Sequence, residues 1–492
     1  MCGIIGIYNF SKNKKIINDL YHGLYKLKNR GRDSYGYLLS NGEDISIFKN
    51  IGDVKPPNLI NSDIYFIGLG QTRYATSYQK KNLDRTSKLH YTHPLKGNHN
   101  LLGEFYLVHN GNIDNLDYFR KKFNIYDDEN ERLEYNDTLL LVEIIEKLQI
   151  DTWLELLKNL INIIPTAYSL IIYSKKDNTL YLLKDRYGIR PLCVGENGDG
   201  YCVSSESNSF GNNYKYINEI DNGSIYSINE KRLLKLYNYE ENNSQQCLFE
   251  FIYFMNKNSK FRLNQNKPIS YDDFNEENSI DNNFFLKIDD YRYHIGFEMA
   301  INENIYKTVN KNDIIVIGAP DTGIPSGKGF SEYLNVRYEQ FIFKKPKEGR
   351  SFILEDNLSR IKQIKNKFLI DESISIKDKI VYFIDDSLVR GNTIGVIIDL
   401  LKSYNPKEIN IRLVSPKVIF PCLYGIDIPT KKELIMNKFT EGELSNELKI
   451  KSINFLKLEE LNNCLMKVYN KNLDNFCLSC FDGNYLGQQY EF

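Results

Sequence analysis

The chain has 492 residues, 42% of them hydrophobic and 26% charged, with a net charge of −1. That length supports two or three domains with real cores, and the near-neutral balance argues against a general nucleic-acid binder. No apolar run approaches the ~20 residues of a membrane span, and no basic-then-apolar leader opens the chain, so a cytoplasmic protein is expected.

Residues 3–8 of the opening MCGIIGIYNF read as a buried strand, and Cys2 just before it is the first candidate site residue. Removal of Met1 would place a thiol and a free α-amine on one residue, a nucleophile with a base built in. An α-amine titrates at about 7.7–8.0, so it can take the thiol's proton and return it later. Residues 15–29 read as an amphipathic helix through Ile17, Leu20, Leu24 and Leu27. Apolar runs at 64–70, 169–173 and 179–183 read as strands, and 137–149 as a helix with Asp137 as its cap. Strands and helices mixed without strict alternation predict an α+β layered first half.

The stretch ENNSQQ at 241–246 reads as a linker, and the polar segment at about 256–290 as a long loop or insertion. From 313 the pattern changes to strand–helix–strand: DIIVIGA, then KIVYFID at 379–385, the helix TIGVIIDLLKSY, and INIRLVS at 409–415. That alternation predicts an α/β domain with a mostly parallel sheet.

The strongest local signal is IVYFIDDSLVRGNTIG at 380–395. An apolar strand ends in Asp385 and Asp386, a glycine turn follows, and a helix begins, so backbone N–H groups and the helix N-terminus can face a phosphate. Gly391 permits close approach, Thr393 adds a hydroxyl, and two adjacent carboxylates suit ribose hydroxyls or Mg²⁺. A Walker loop is absent. The stretch resembles the phosphoribosylpyrophosphate (PRPP) signature of type I phosphoribosyltransferases. That resemblance implies that Asp385 and Asp386 hold the ribose hydroxyls, and that Ser387, Arg390, Gly391, Asn392 and Thr393 cradle the 5-phosphate.

The motifs NRGRDSYG at 29–36, GQTRYATS at 70–77 and LVHNGNIDN at 107–115 follow the leading Cys-Gly-Ile in order. Singly each has a bland reading: Arg73 as a surface ion pair, HNGN as a hairpin turn. Together they resemble the N-terminal-nucleophile glutaminase domain of class II amidotransferases, a layered αββα fold. The resemblance implies Cys2 as nucleophile, Asn110 and the Gly111 N–H as oxyanion hole, and Arg30, Arg73 and Asp137 as glutamine-binding residues. Arg73 would pair the α-carboxylate and Asp137 the α-ammonium.

A glutaminase joined to a PRPP site resembles the glutamine PRPP amidotransferases across nearly the whole chain. KDRYGIRPL at 184–192, SSES at 204–207, CLFEFIYF at 247–254 and CLYGIDIP at 422–429 look alike too. The implied domains are a glutaminase at 2–240, a phosphoribosyltransferase at 247–465, and a C-terminal tail at 466–492. The implied reaction, the first committed step of purine synthesis, converts glutamine, PRPP and water to 5-phosphoribosylamine, pyrophosphate and glutamate. Lys344 and Lys365 would bind PRPP, and Thr322 of GAPDTG would join Asp385 and Asp386 around Mg²⁺. The loop KKPKEGRSF at 344–352 departs from the family, with Pro346 and Lys347 where an Arg-Tyr pair is usual. That departure bears on loop closure and on inhibition by purine nucleotides. It is the only support for a non-catalytic PRPP or nucleotide sensor. Another class II amidotransferase is the other alternative, against which the acid pair and phosphate turn count. A homo-oligomer, tetramer or dimer, is also implied.

There are eight cysteines, at 2, 193, 202, 247, 422, 464, 477 and 480. Without a leader, clustered thiols point to metal or catalysis rather than to disulfides. Cys477 and Cys480 form a Cys-x-x-Cys pair, and with Cys247 and Cys422 a four-thiolate set could hold zinc or iron–sulfur. Some members of the resembling family carry a [4Fe–4S] cluster on matching cysteines, which implies the cluster, with zinc as the alternative. Cys193, Cys202 and Cys464 read as buried thiols.

Overall fold

The continuous apolar run behind Cys2 forms the strand Gly3–Asn9, buried at every residue. The computed structural model describes residues 1–12, 16–57, 64–74, 85–125, 136–165, 167–239, 244–262, 285–303, 309–345, 368–428 and 430–486. Gly3–Asn9 is central in a seven-stranded sheet, antiparallel to Ile67–Arg73 on one side and to Gly200–Ser204 on the other. Its register sets Gly3 opposite Thr72, which brings Cys2 to the Arg73 end of its neighbour.

A second, six-stranded antiparallel sheet contains Gly103–Gly111 beside Tyr168–Ser174, with Asn110 opposite Ser169. Ile4, Tyr8 and Leu69 of the first sheet pack with Val108, Ile171 and Leu182 of the second. Ile17–Lys26 covers the first sheet's outer face through Leu20 and Leu24. Asp137–Lys147 and Trp153–Ile163 cover the second through Leu140, Ile144, Leu156 and Leu160. The result is the expected αββα sandwich. Several boundaries differ from expectation; the strand expected at 64–70 is Ile67–Arg73, and the helix expected at 137–149 ends at Lys147. Residues 27–29 tighten into a 3₁₀ turn, and the cap of the later helix is Asn136, not Asp137. The extended Asn136 accepts from Thr138 N at 2.8 Å, so Asp137 enters the first turn.

The second half is an all-parallel sheet in the order Arg337–Tyr338, Ile314–Gly318, Ile380–Asp385, Glu408–Leu413, Ser452–Phe455. Alternate residues serve opposite cores. Ile314, Val316 and Tyr382 meet Ile295, Phe330 and Leu465 on one face. Ile315, Ile317 and Phe383 meet Ile394, Ile397 and Leu444 on the other. Both faces are covered, as a parallel sheet requires.

The polar segment expected as a loop at about 256–290 is partly structured. Lys260–Arg262 pairs antiparallel with Phe285–Lys287, and a helix starts at Ile288. Three-residue strands carry too little alternation to be read from sequence. The interior, 263–284, lies outside the described residues. Gln246–Cys247 pairs parallel with Phe476–Cys477, joining the end of the linker to the tail. No helix among the described residues is long and apolar enough to cross a membrane.

Candidate active sites

The first site gathers where the Cys2 end of one sheet meets the Asn110 end of the other. Cys2 N donates to Asn110 Oδ1 at 3.3 Å, and the Cys2 thiol is 4.0 Å from the Tyr74 carbonyl. Asn110 is fully buried, and among the described residues its Nδ2 has no hydrogen-bond partner. A buried unsatisfied donor costs about 1–3 kcal/mol, so this amide is poised for an oxygen that a ligand brings. Gly111 admits no side chain, since a Cβ there would stand 2.2 Å from the Ala167 carbonyl.

Asp137 Oδ2 accepts from Ile113 N at 3.2 Å, and its side chain stays 17% exposed. Arg73 is buried at the end of Ile67–Arg73, and its carbonyl accepts from Asp33 N at 3.0 Å. Arg30 is buried beside Cys2. Its fully buried guanidinium donates to the Cys2 carbonyl at 2.8 Å, to Glu206 at 2.8 Å, and to both oxygens of Glu250 at 3.0 and 2.8 Å. Burial works to discharge Arg30, but Glu250 and Glu206 outweigh it and hold its pKa above the usual arginine value. Arg30 thus holds the Cys2 backbone.

Two histidines behind the oxyanion strand escaped the sequence reading, although His109 directly precedes Asn110. His93 Nδ1 accepts from His109 N at 3.2 Å, and His109 Nδ1 shares a 3.0 Å hydrogen bond with Thr138 Oγ1. Burial holds His93 well below the ordinary imidazole pKa, helped by His109 and Arg73. Burial also lowers His109, against the pull of Asp137.

The second site lies at the carboxyl end of Ile380–Asp385. Asp386 N donates to Asp385 Oδ1 at 2.9 Å. The two oxygens of Asp386 accept from Ser387 Oγ and Thr322 Oγ1, each at 2.5 Å. Thr322 arrives from the loop after Ile314–Gly318, so the expected trio assembles from two loops. Burial, then the neighbouring Asp386 charge, pushes the Asp385 pKa well up. Burial raises Asp386 too, against its two hydroxyl bonds and the Arg292 charge. Such a pair calls for a hard cation with oxygen ligands.

Gly391 has φ +81°, which favours glycine, and opens the helix Asn392–Lys402. Asn392 and Thr393 are exposed on its first turn. Arg390 faces Glu433 at 3.4 Å and Asp427 at 3.8 Å. Lys344 bonds Asp321 at 2.9 Å. Lys365 and residues 346–352 of the departing loop lie outside the described residues.

Between the sites runs a π-helical turn, Glu250–Phe254, a rare conformation that recurs at functional positions. Tyr253 on this turn keeps 42% of its surface exposed. Burial, then the nearby Asp386, Tyr74 and Asp385, push its hydroxyl pKa up. It therefore lies within electrostatic reach of the acid pair and of the residue beside Cys2. Arg292 Nε and Nη2 bond the Phe251 and Met255 carbonyls at 3.0 and 2.8 Å.

Cys247 and Cys477 are in register on paired strands. Burial pushes Cys477 up to about 11 and Cys247 and Cys480 well above the usual thiol range; the other thiols of the set add to each rise. All four cysteines, with Cys422 half-buried, are unpaired and packed in or against one core. Among the described residues, no group of three or more His, Cys, Asp or Glu side chains forms a site for a metal ion.

These features define a glutamine amidotransferase joined to a phosphoribosyltransferase. Residues 89–212 match the glutamine amidotransferase domain family and residues 288–417 the phosphoribosyl transferase domain family. The chain is 28% identical over 504 residues to an amidophosphoribosyltransferase of Methanocaldococcus jannaschii, covering 99% of this chain and 97% of that protein. It is 30% identical over 473 residues to that of Homo sapiens, covering 89% and 83%. It matches the solved glutamine PRPP amidotransferase from B. subtilis, complexed with ADP and GMP, with a TM-score of 0.81, 25% identity and coverage of 100% and 98%. The chain belongs to the amidophosphoribosyltransferase family.

Proposed function

We propose that this chain runs the family's reaction in two steps, at residues of its own. Cys2, exposed by cleavage ahead of it, attacks the carboxamide carbon of glutamine. Its α-amine takes the thiol proton and delivers it to the leaving ammonia. Asn110 Nδ2 and the Gly111 N–H hold the oxyanion, while Arg73 and Asp137 hold the α-carboxylate and α-ammonium. Water then releases glutamate from the thioester. Ammonia attacks the ribose carbon of PRPP and displaces pyrophosphate.

Asp385 and Asp386 hold the ribose hydroxyls, and Ser387 and residues 390–393 the 5-phosphate, with Lys344 and Lys365 as further PRPP-binding residues. Thr322, Asp385 and Asp386 offer hard oxygen ligands that fit Mg²⁺, which when bound neutralises phosphate charge. Cys247, Cys422, Cys477 and Cys480, packed in or against one core, are the soft donors that would hold a [4Fe–4S] cluster, with zinc the alternative, in a structural part. Eight unpaired cysteines fit a reducing cytoplasm. Purine nucleotides as ligands, and a homo-oligomer, are part of this reading.

The observation that carries it is the pair of assembled sites, Cys2 N on Asn110 Oδ1 at 3.3 Å in one and Thr322 and Ser387 on Asp386 at 2.5 Å in the other. Ammonia kept from bulk water between the two sites would keep its lone pair. The test measures pyrophosphate release from PRPP with glutamine or with ammonia. The wild type uses both, and Cys2→Ala uses only ammonia. A Cys2→Ala variant that still uses glutamine, or active protein whose intact mass retains Met1, overturns the assignment of Cys2 and its amine.

A further inference from the structure

Glu250 enters the glutaminase site from the transferase half of the chain. Its carboxylate is shared by two buried guanidiniums: Arg30 at 2.8 and 3.0 Å, and Arg190 Nη1 at 3.2 Å. Each guanidinium then grips a backbone carbonyl. Arg30 holds Cys2, and Arg190 Nη2 holds Tyr424. The Tyr424 segment in turn covers the strand that ends at Asn110. Its Leu423 carbonyl accepts from Asn112 Nδ2 at 2.9 Å, and Gly425 lies against the Gly111 carbonyl. One carboxylate thus ends two chains of contacts, one to the nucleophile and one to the strand of the oxyanion hole.

We propose that Glu250 is a positioning residue for the glutamine reaction: it fixes the separation of Cys2 from the Asn110–Gly111 donors. This rests on the reading of Cys2 and Asn110 given above. The geometry favours positioning over mere attachment of the two halves. Arg30 already has a second carboxylate in Glu206 at 2.8 Å, so Glu250 is not required to neutralise it. Glu250 adds the link to Arg190, and bidentate carboxylate–guanidinium pairs fix orientation as well as charge. Glu250 also begins the π-helical turn whose later carbonyls Arg292 holds. The anchor is therefore braced against the helix Ile288–Ala300 beside the acid pair.

The contacts traced from Glu250 end at Cys2 and at the strand of the Asn110–Gly111 donors, the groups that meet the reacting carbonyl. A shifted anchor should therefore lower kcat with glutamine and spare KM. The experiment uses the full chain and compares wild type, Glu250→Asp and Glu250→Gln, assayed with glutamine and with ammonia. Glu250→Asp keeps the carboxylate charge, yet is one methylene too short to reach both guanidiniums together. The glutamine kcat should fall about 10- to 100-fold, in line with the sensitivity of aligned reactions to ~1 Å displacements. KM for glutamine and the ammonia-dependent rate should stay unchanged. If Glu250→Gln leaves the buried Arg190 without its carboxylate and does not fold, Glu250→Asp alone decides. A wild-type glutamine kcat in Glu250→Asp overturns the proposal, and so does a parallel loss of the glutamine and ammonia rates. Cys2→Ala is assayed beside them. If it keeps glutamine activity, the reading of Cys2 fails; if it is inactive while Glu250→Asp is fully active, only the role of Glu250 fails.

Discussion

Gly425 presses on the carbonyl of Gly111, so that a Cβ at 425 would stand 2.9 Å from that oxygen and 3.2 Å from Asn112 Cβ. The residue also holds φ at +100°, where L side chains are strained. Gly425→Ala should push the 422–428 segment off the oxyanion strand. The expected outcome is a glutamine-dependent rate lowered about tenfold, a loss of about 1–3 kcal/mol in stability, and ammonia-dependent synthesis retained. Paired assays and thermal melts check it, and an unchanged glutamine rate refutes the contact's importance.

Asn110 makes one hydrogen bond through Oδ1 and leaves Nδ2 open. Asn110→Ala should lower kcat with glutamine about 10²–10³-fold, the usual loss for one oxyanion donor. KM should change little, because the substrate's charged ends are held elsewhere. A variant altered in KM alone would assign Asn110 to ground-state binding.

Much of this arrangement is legible in sequence, for local reasons. The acid pair and its turn are contiguous, so the strand end, the Gly391 turn and the helix after it can be read from the order of residues from Asp385 to Thr393. The buried runs at 3–8 and 380–385 are continuous enough to read as strands. The network around Arg30 is not legible, because its partners Glu206 and Glu250 are 176 and 220 residues away. No spacing rule links an arginine to carboxylates that only the packed halves bring together. The cap at Asn136 failed for the opposite reason: two good capping residues stand side by side, and only backbone conformation chooses between them.

Thr322 and Ser387 each cap one oxygen of Asp386. Thr322→Val should free one carboxylate oxygen and remove a ligand from the Mg²⁺–PRPP side. PRPP-dependent synthesis should then weaken with either nitrogen donor, chiefly through KM for PRPP. Basal hydrolysis of glutamine should persist, because Cys2 and Asn110 lie in the other half. Steady-state titration of PRPP, with glutamate release measured in its absence, separates the two effects. Unaltered PRPP kinetics would remove Thr322 from the site.

His93 and His109 give the glutaminase half a defined acid limit. Their pKa values are lowered on folding, so the native state binds fewer protons than the unfolded chain. Stability from this source is present above the ordinary imidazole pKa of about 6.5 and is lost progressively as pH falls below it. Protonation of His93 would also take the lone pair that accepts from His109 N. Thermal melts from pH 5 to pH 8 should show the midpoint falling on the acid side, together with glutamine-dependent activity. His93→Asn keeps an acceptor that does not titrate and should flatten the acid side. An identical slope in wild type and variant would place the sensitivity elsewhere.

Cys247, Cys422, Cys477 and Cys480 share one core, and burial disfavours the thiolates of Cys247, Cys477 and Cys480. A bound cationic centre would reverse that preference, since metal ligation takes the thiolate form. The centre would then tie the tail to the residue that follows the linker. Protein purified without oxygen should therefore be brown and contain iron and sulfide in equal amounts, about four of each per chain for this cluster type. Cys477→Ser should lower the iron content and the melting temperature together, because Cys477 pairs in register with Cys247. Chelation or oxygen exposure should reproduce that loss in the wild type. The fully buried Cys193 makes its hydrogen bond to the Ser204 carbonyl, far from this group in its packing, so Cys193→Ser serves as the control that retains iron. Colourless protein with one zinc per chain would replace the cluster by the other soft metal. Metal-free protein with an unchanged melting temperature in Cys477→Ser would leave four buried thiols and no centre, with the glutamine and PRPP chemistry untouched.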